Sequence, residues 1–193
     1  MNHNYEKYRW FFTSSKLLVI GGKNAEQNEE ILKEIISAKE EIILMHTSDP
    51  GSPFCAILSN KEKIKNKDIK EAAIFTACFS KAWKEGKKET TIDIFNNKQL
   101  FKEEKMKAGT WGVLGKVKKI KVPLELILTI QNGKLRAVPR ITIKDKKEAI
   151  LKIVPGKIPK EEIAKKIYEV LGNKFKNEEI LSALPAGGIK IIK

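Results

Sequence analysis

The sequence predicts an α+β fold: a single mixed or antiparallel sheet packed on a buried helix, with a small C-terminal helical extension. Three observations lead there. In residues 68–85 the apolar side chains, among them Ile69, Ala73, Phe75, Cys78 and Trp83, cover most of the circumference of a helix, and a helix apolar nearly all round belongs inside, against a sheet. Several short stretches of strand character surround it, and one pair is joined by Asn132-Gly133, the strongest short hairpin signal. After Ile150 the character changes to helical stripes broken by Pro and Gly.

Taken in order, residues 8–13 are aromatic-rich and read as a strand, 16–20 as a second, with Ser14-Ser15 turning between them. Asn24 is placed to cap a helix running to about residue 38, with Ile31, Leu32, Ile35 and Ile36 on one face. Residues 41–46 and 54–58 read as strands flanking a loop rich in turn formers, Asp49-Pro50-Gly51-Ser52-Pro53. A charged loop, 59–67, leads into the 68–85 helix, which Gly86 ends. Residues 90–95 alternate as a strand, 96–107 are polar and basic and read as a loop, and 110–122 hold two strand-like stretches with interleaved lysines. A two-residue turn at Asn132-Gly133 pairs Ile130 with Leu135, Leu128 with Ala137 and Glu125 with Arg140, the last a favourable charge pair. Pro139 cannot donate to a ladder, which puts its strand at an edge or turns it outward there. Pro155-Gly156 marks a break. Pro159 suits the first turn of a helix closed by Gly172, Asn177 caps a short helix to 184, and 189–192 add a strand. The expected division is 1–150 for the main domain and 151–193 for the extension.

The 193 residues carry 38 Lys and Arg against 24 Asp and Glu, a net charge of +14. Such an excess favours polyanionic partners, because each neutralised phosphate releases a condensed counterion. An anionic membrane surface and a merely solvated lysine-rich surface are the competing readings. No apolar run is long enough to span a bilayer and residues 1–10 hold no apolar secretory segment, so a cytoplasmic protein with no membrane partner is expected. Cys55 and Cys78 then read as free thiols packed as small hydrophobes.

Catalytic and metal chemistry find little support. Only His3 and His46 occur, with His3 in a terminal tail, and no His/Cys cluster has zinc spacing. The Gly109–Lys116 stretch fails as a phosphate loop because Gly109 is too far from Gly115 and Val117 stands where Ser or Thr must hold magnesium. Gly21-Gly22 lacks the third glycine of a dinucleotide fingerprint. No metal and no cofactor is expected. His46, Asp49 and Ser52 invite comparison with a hydrolytic triad. Residues so close together in one loop rarely reach that geometry, and there is no nucleophile elbow. The alternatives are a self-bonded loop behind a strand-ending His46, or a loop that contacts a ligand.

Two constellations suit RNA. Lys116, Lys118, Lys119 and Lys121 form a basic ladder preceded by Lys102, Lys105 and Lys107, and lysine meets phosphate as a point charge without reading bases. Arg136 and Arg140, an even number apart, share a face of the returning hairpin strand. A solvated sheet face is the competing reading. Tyr8, Trp10, Phe12 and Trp111 either stack bases or, as period-two aromatics often do, fill the core. Trp83, in the buried-type helix, reads as core.

Several blocks, in order, resemble the NFACT-R domain, the RNA-binding module of fibronectin-binding-protein-like factors. They are Tyr8-Arg9-Trp10-Phe11, Gly21-Gly22-Lys23-Asn24-Ala25-Glu26-Gln27-Asn28-Glu29, His46-Thr47-Ser48-Asp49-Pro50-Gly51-Ser52-Pro53, Ala77-Cys78-Phe79-Ser80-Lys81-Ala82-Trp83 and Lys107-Ala108-Gly109-Thr110-Trp111-Gly112-Val113-Leu114-Gly115-Lys116. The similarity runs from about Tyr8 to Val138, and the tail Ala183-Leu184-Pro185-Ala186-Gly187-Gly188 is similar to the extension of short archaeal members. The resemblance implies an α+β domain without enzymatic activity. It implies that full-length members bind tRNA and the obstructed large ribosomal subunit and promote tailing of stalled chains. The other parts those members use do not fit in 193 residues, so tailing does not carry over. Short members are implied to bind RNA, with a link to tRNA modification or surveillance.

On this chain the resemblance points to Lys23, Asn24, Gln27 and Asn28 at a helix start, to His46, Asp49 and Ser52, and to Lys116. The family often has Asp where Asn24 stands and Arg where Leu114 stands. The expectation is a non-catalytic binder of tRNA or ribosomal RNA, with the large ribosomal subunit or a tRNA-modifying enzyme as a further partner. Its rivals are a protein adaptor and an RNA-modifying enzyme using the His46 loop.

Overall fold

The computed structural model describes residues 4–192; His3 lies outside them. The chain begins with the hairpin β1 (Arg9–Phe12) and β2 (Leu18–Gly21), then α1 (Ala25–Ile36), β3 (Ile43–Thr47) and β4 (Cys55–Ile57). Next come α2 (Asn66–Cys78), the single turn α3 (Lys81–Lys84) and β5 (Glu89–Asn96). A small ribbon, β6 (Leu100–Phe101) with β7 (Gly112–Val113), precedes β8 (Lys118–Pro123). The second half holds β9 (Leu126–Gln131), β10 (Lys134–Pro139), β11 (Leu151–Ile158), α4 (Lys160–Leu171), α5 (Asn177–Ala183) and β12 (Ile189–Ile192).

The α+β class holds, with every strand pair antiparallel, but the strands do not share one sheet. Six form a sheet in the order β1-β2-β4-β3-β5-β8, and four form a second in the order β10-β9-β11-β12. Helix α2 lies between the two, and one continuous core runs from Val19, Met45 and Ile92 through Ala73 and Phe75 to Leu128, Ala137 and Ile153. This is why α2 is apolar nearly all round: it has a sheet on each side. Helix α1 covers the other face of the six-stranded sheet, where Ile31, Leu32 and Ile35 meet Trp10, Ile20, Leu44 and Phe95.

The two sheets are sewn together along β1. The Gln131 side chain accepts the Phe12 N–H at 2.8 Å and donates to the Phe12 carbonyl at 2.8 Å, satisfying an edge-strand backbone across the seam. The buried Glu71 of α2 accepts from Ser14 N–H at 2.8 Å and from Thr142 Oγ1 at 2.9 Å, tying both hairpin regions to the central helix.

The long helix expected over 68–85 is interrupted. Ser80 Oγ accepts the Ala82 N–H at 3.1 Å and caps α3 as a new helix, because a serine side chain competes for the backbone. The expected 96–107 loop contains β6, with Leu100 buried. The Asn132-Gly133 hairpin has the expected register, Ile130 opposite Leu135 and Leu128 opposite Ala137, with β10 at the sheet edge. Glu125 and Arg140 do not pair. The ladder ends at Leu126 and Pro139, Arg140 turns into a 3₁₀ segment, and Glu125 takes Lys152 at 2.6 Å instead. The segment after residue 150 is not helical throughout. It opens with β11, which joins β9 and passes Pro155-Gly156 as a bulge rather than a break, and it closes with β12. Among the described residues no helix is long and apolar enough to cross a membrane.

Candidate nucleic-acid interface

The start of α1 is held by reciprocal caps. Asn24 Oδ1 accepts the Gln27 N–H at 2.9 Å, and Gln27 Oε1 accepts the Lys23 N–H at 3.0 Å. Asn28 Oδ1 faces Gly22 so closely that a Cβ there would lie 2.2 Å away, and it accepts the Phe54 N–H at 3.3 Å. Gln27 and Asn28 therefore build the helix start and fasten it to Phe54, the residue that leads into β4.

The 47–53 loop closes on itself. Ser52 Oγ accepts the Thr47 N–H at 2.9 Å, Thr47 Oγ1 donates to the Asp49 carbonyl at 2.5 Å, and the Lys81 N–H donates to the Gly51 carbonyl at 2.7 Å. The last bond exists because Ser80 breaks the helix and starts α3 against the loop. Trp83 Nε1 donates to the Gly188 carbonyl at 3.0 Å, which draws the C-terminal Pro185–Gly188 segment onto α3.

The third wall is clasped by Glu29. Its carboxylate accepts the Gly109 N–H at 2.9 Å, Trp111 Nε1 at 3.0 Å and Lys102 Nζ at 2.9 Å, and Lys102 also donates to the Lys107 and Thr110 carbonyls. Burial pushes the Glu29 carboxyl up, and the Gly109, Lys102 and Trp111 donors outweigh it, holding the pKa at about 2. Gly109 has φ +75°, and a Cβ on it would stand 2.9 Å from the Ala25 Cα. The glycine segment is thus pressed onto the first turn of α1.

These three walls enclose a cleft of about 510 Å³ whose lining includes Arg9, Lys23, Lys81 and Lys84 with Asn24, Asn28, Ser52 and Thr110, and no acidic residue. Lys81 also reaches Glu85 at 3.4 Å. Among the described residues no carboxylate pairs with Arg9, Lys23 or Lys84. The Arg9 guanidinium stands 4.7 Å from the Phe79 ring. Burial depresses the Lys23 pKa, and the neighbouring charges of Arg9 and Arg136 add to the effect.

Of the expected site residues, Lys23, Asn24, Asn28 and Ser52 come together here. Gln27 serves as a cap, and Lys107 is exposed next to the Ala108–Thr110 wall, its carbonyl taken by Lys102. His46 sits outside the cleft, its ring 4.5 Å from that of Phe54 and its Nδ1 2.7 Å from the Thr47 carbonyl, with burial lowering its pKa. Asp49 points away to Lys87 at 3.7 Å. The side chains of His46, Asp49 and Ser52 each face a different partner and form no relay.

The ladder divides. Paired residues share a sheet face, so Lys119 and Lys121, opposite Asp93 and Thr91, lie on the α1 side, while Lys118, opposite Ile94, lies on the α2 side. Lys119 Nζ donates to Asp93 at 2.8 Å and to Ser48 Oγ at 3.2 Å, and Lys121 pairs with Glu89. The Lys116 carbonyl accepts from Gln99 Nε2 at 3.1 Å in the turn before β8.

Arg136 is buried at 8% exposure, its guanidinium 4.6 Å from the Trp10 ring across the seam between sheets. It is not a surface cation, and it shares no strand face with Arg140, which has left the ladder. Tyr8 and Trp10 are core. Trp111 gives its N–H to Glu29 and stands beneath Lys102. Arg9, Lys81, Lys84 and Glu29 were not singled out from sequence, where Arg9 sits within an aromatic run and Lys81 and Lys84 read as ordinary helix-end lysines.

The model of the NFACT protein RNA binding domain matches residues 7–115, more than half of the chain and every wall of the cleft except Pro185–Gly188. The chain belongs to this family. Over 98% of its length this NFACT RNA-binding chain is 28% identical to the archaeal Rqc2 homolog aRqcH of Methanocaldococcus jannaschii, of which it spans 29%. It is 34% identical to the human ribosome quality control complex subunit NEMF over 41% of its length and 7% of that protein. The C-terminal part of the fibronectin/fibrinogen-binding protein of Streptococcus suis shares the fold with a TM-score of 0.54 at 24% identity, covering 64% of this chain and 47% of that one.

Proposed function

We propose that this protein is a non-catalytic RNA-binding module of cytoplasmic ribosome quality control, or of a neighbouring step in translation or tRNA surveillance. It grips structured RNA, tRNA first among the candidates and ribosomal RNA of the large subunit second, through phosphates seated in the cleft. The observation that carries the reading is the cleft lining: Arg9, Lys23, Lys81 and Lys84 beside the capped start of α1, with no acid among them. Helix starts and clustered cations both attract phosphate. Family membership and relatives named for ribosome quality control support the choice of RNA over other polyanions.

The test is binding of the purified chain to tRNA, ribosomal subunits and duplex DNA across a salt series. We expect tRNA to outcompete DNA near physiological salt. Lys23→Ala combined with Lys84→Ala should reduce the log-log salt slope by about 2. Equal, weak binding of both nucleic acids that ignores these two lysines would overturn the reading.

A further inference from the structure

The outer face of the four-stranded sheet, turned away from α2, carries a second concave surface. Across it Ile127, Lys152 and Ile192 stand in register on β9, β11 and β12. The connection between β10 and β11 passes over this face and is pinned at its far end, where Thr129 Oγ1 donates to the Glu148 carbonyl and the Ile150 N–H to the Leu128 carbonyl, each at 2.8 Å. It leaves a groove of about 500 Å³ with an aliphatic floor, chiefly Ile127, Ile141, Ile143 and Ile192, and a cationic rim of Arg140, Lys144, Lys146 and Lys152. Lys152 is engaged by Glu125. Among the described residues no carboxylate pairs with Arg140, Lys144 or Lys146. The groove shares no lining residue with the cleft.

An aliphatic floor inside a ring of cations selects a ligand that is both apolar and negative. Nucleic acid satisfies the rim only, since bases are held by stacking on aromatic rings and no aromatic residue lines this groove. We propose that the groove docks an acidic protein segment bearing aliphatic side chains, which bury against the isoleucines while its carboxylates meet the rim. A partner held there leaves the cleft open, so the chain can link an RNA to a protein.

Fluorescence anisotropy of the intact chain with labelled synthetic peptides tests this. A peptide alternating Asp and Leu should bind, and one with every Leu replaced by Ser should bind at least about tenfold more weakly. Lys144→Glu with Lys146→Glu, both exposed, should weaken the Asp-Leu peptide about tenfold while tRNA binding by the same variant is retained. Equal affinity for the two peptides, or indifference to the two charge reversals, would overturn the proposal. So would oligouridine binding that disappears in this variant, which would make the groove a nucleic-acid site. Variants of Lys23 and Lys84 test the cleft separately, so the two readings fail independently.

Discussion

The cleft and the β8 ladder are both rich in cations, and folding treats them oppositely. On β8, Lys119 and Lys121 are met by Asp93 and Glu89 from the neighbouring strand. In the cleft, Arg9, Lys23 and Lys84 converge from three separate elements with no acid in the lining. A run of lysines thus overstates the positive field where an acidic strand lies alongside, and scattered single cations understate it where the fold gathers them. What attracts phosphate is the uncompensated charge at a surface, and the net charge of +14 does not say where that surface is.

Four variants sharpen or break this contrast. Reversing Lys23→Glu and Lys84→Glu together should have the largest effect, lowering tRNA affinity by about a hundredfold at moderate salt in a filter-binding or anisotropy assay. Next, Glu29→Gln should unfasten the Gly109 segment and lower stability to denaturant by about 1–3 kcal/mol at neutral pH. The Glu29 pKa is held at about 2, below its ordinary 4.5. Its contribution is therefore complete above pH 4.5 and drains away as pH falls toward 2, and the gap between wild type and variant should close over that window. Gly109→Ala should cost about 1–2 kcal/mol in the same measurement, from the left-handed backbone and the contact with Ala25. Last, Lys119→Ala with Lys121→Ala should change tRNA affinity by less than about twofold and leave the salt slope nearly intact. A loss as large as that of the cleft variants would erase the distinction between the two regions.

Much of the local architecture was readable from residues a few positions apart. Asn24 caps α1 and Asn132-Gly133 sets the register of β9 and β10 as their local chemistry dictates. The same kind of reading failed where a distant partner intervened. Glu125 took Lys152 from β11 in place of Arg140, and Arg136 went under the seam to stack on Trp10. The helix break at Ser80 left no mark in the hydrophobic pattern, because both sides of it are buried: Cys78 before, Ala82 and Trp83 after.

The candidate site was legible in part for the same reason. Lys23, Asn24, Asn28 and Ser52 belong to blocks whose order resembled a family. Arg9 and Lys81 lie in such blocks too, and with Lys84 they became part of a site only when β1, α1 and α3 met. By itself the sequence determined the α+β class, the Asn24 cap and the Asn132-Gly133 turn, the apolar helix at the centre and the excess of positive charge, since each depends on bonds and periodicities spanning a few residues; the cap expected at Asn177 falls on Lys176 instead, with Asn177 the first residue of α5. Only the tertiary structure decided that the strands divide into two sheets around that helix, which cations keep their charge exposed and which are neutralised or buried. Those outcomes depend on contacts between residues far apart in the chain, where burial and pairing, rather than residue type, set the field.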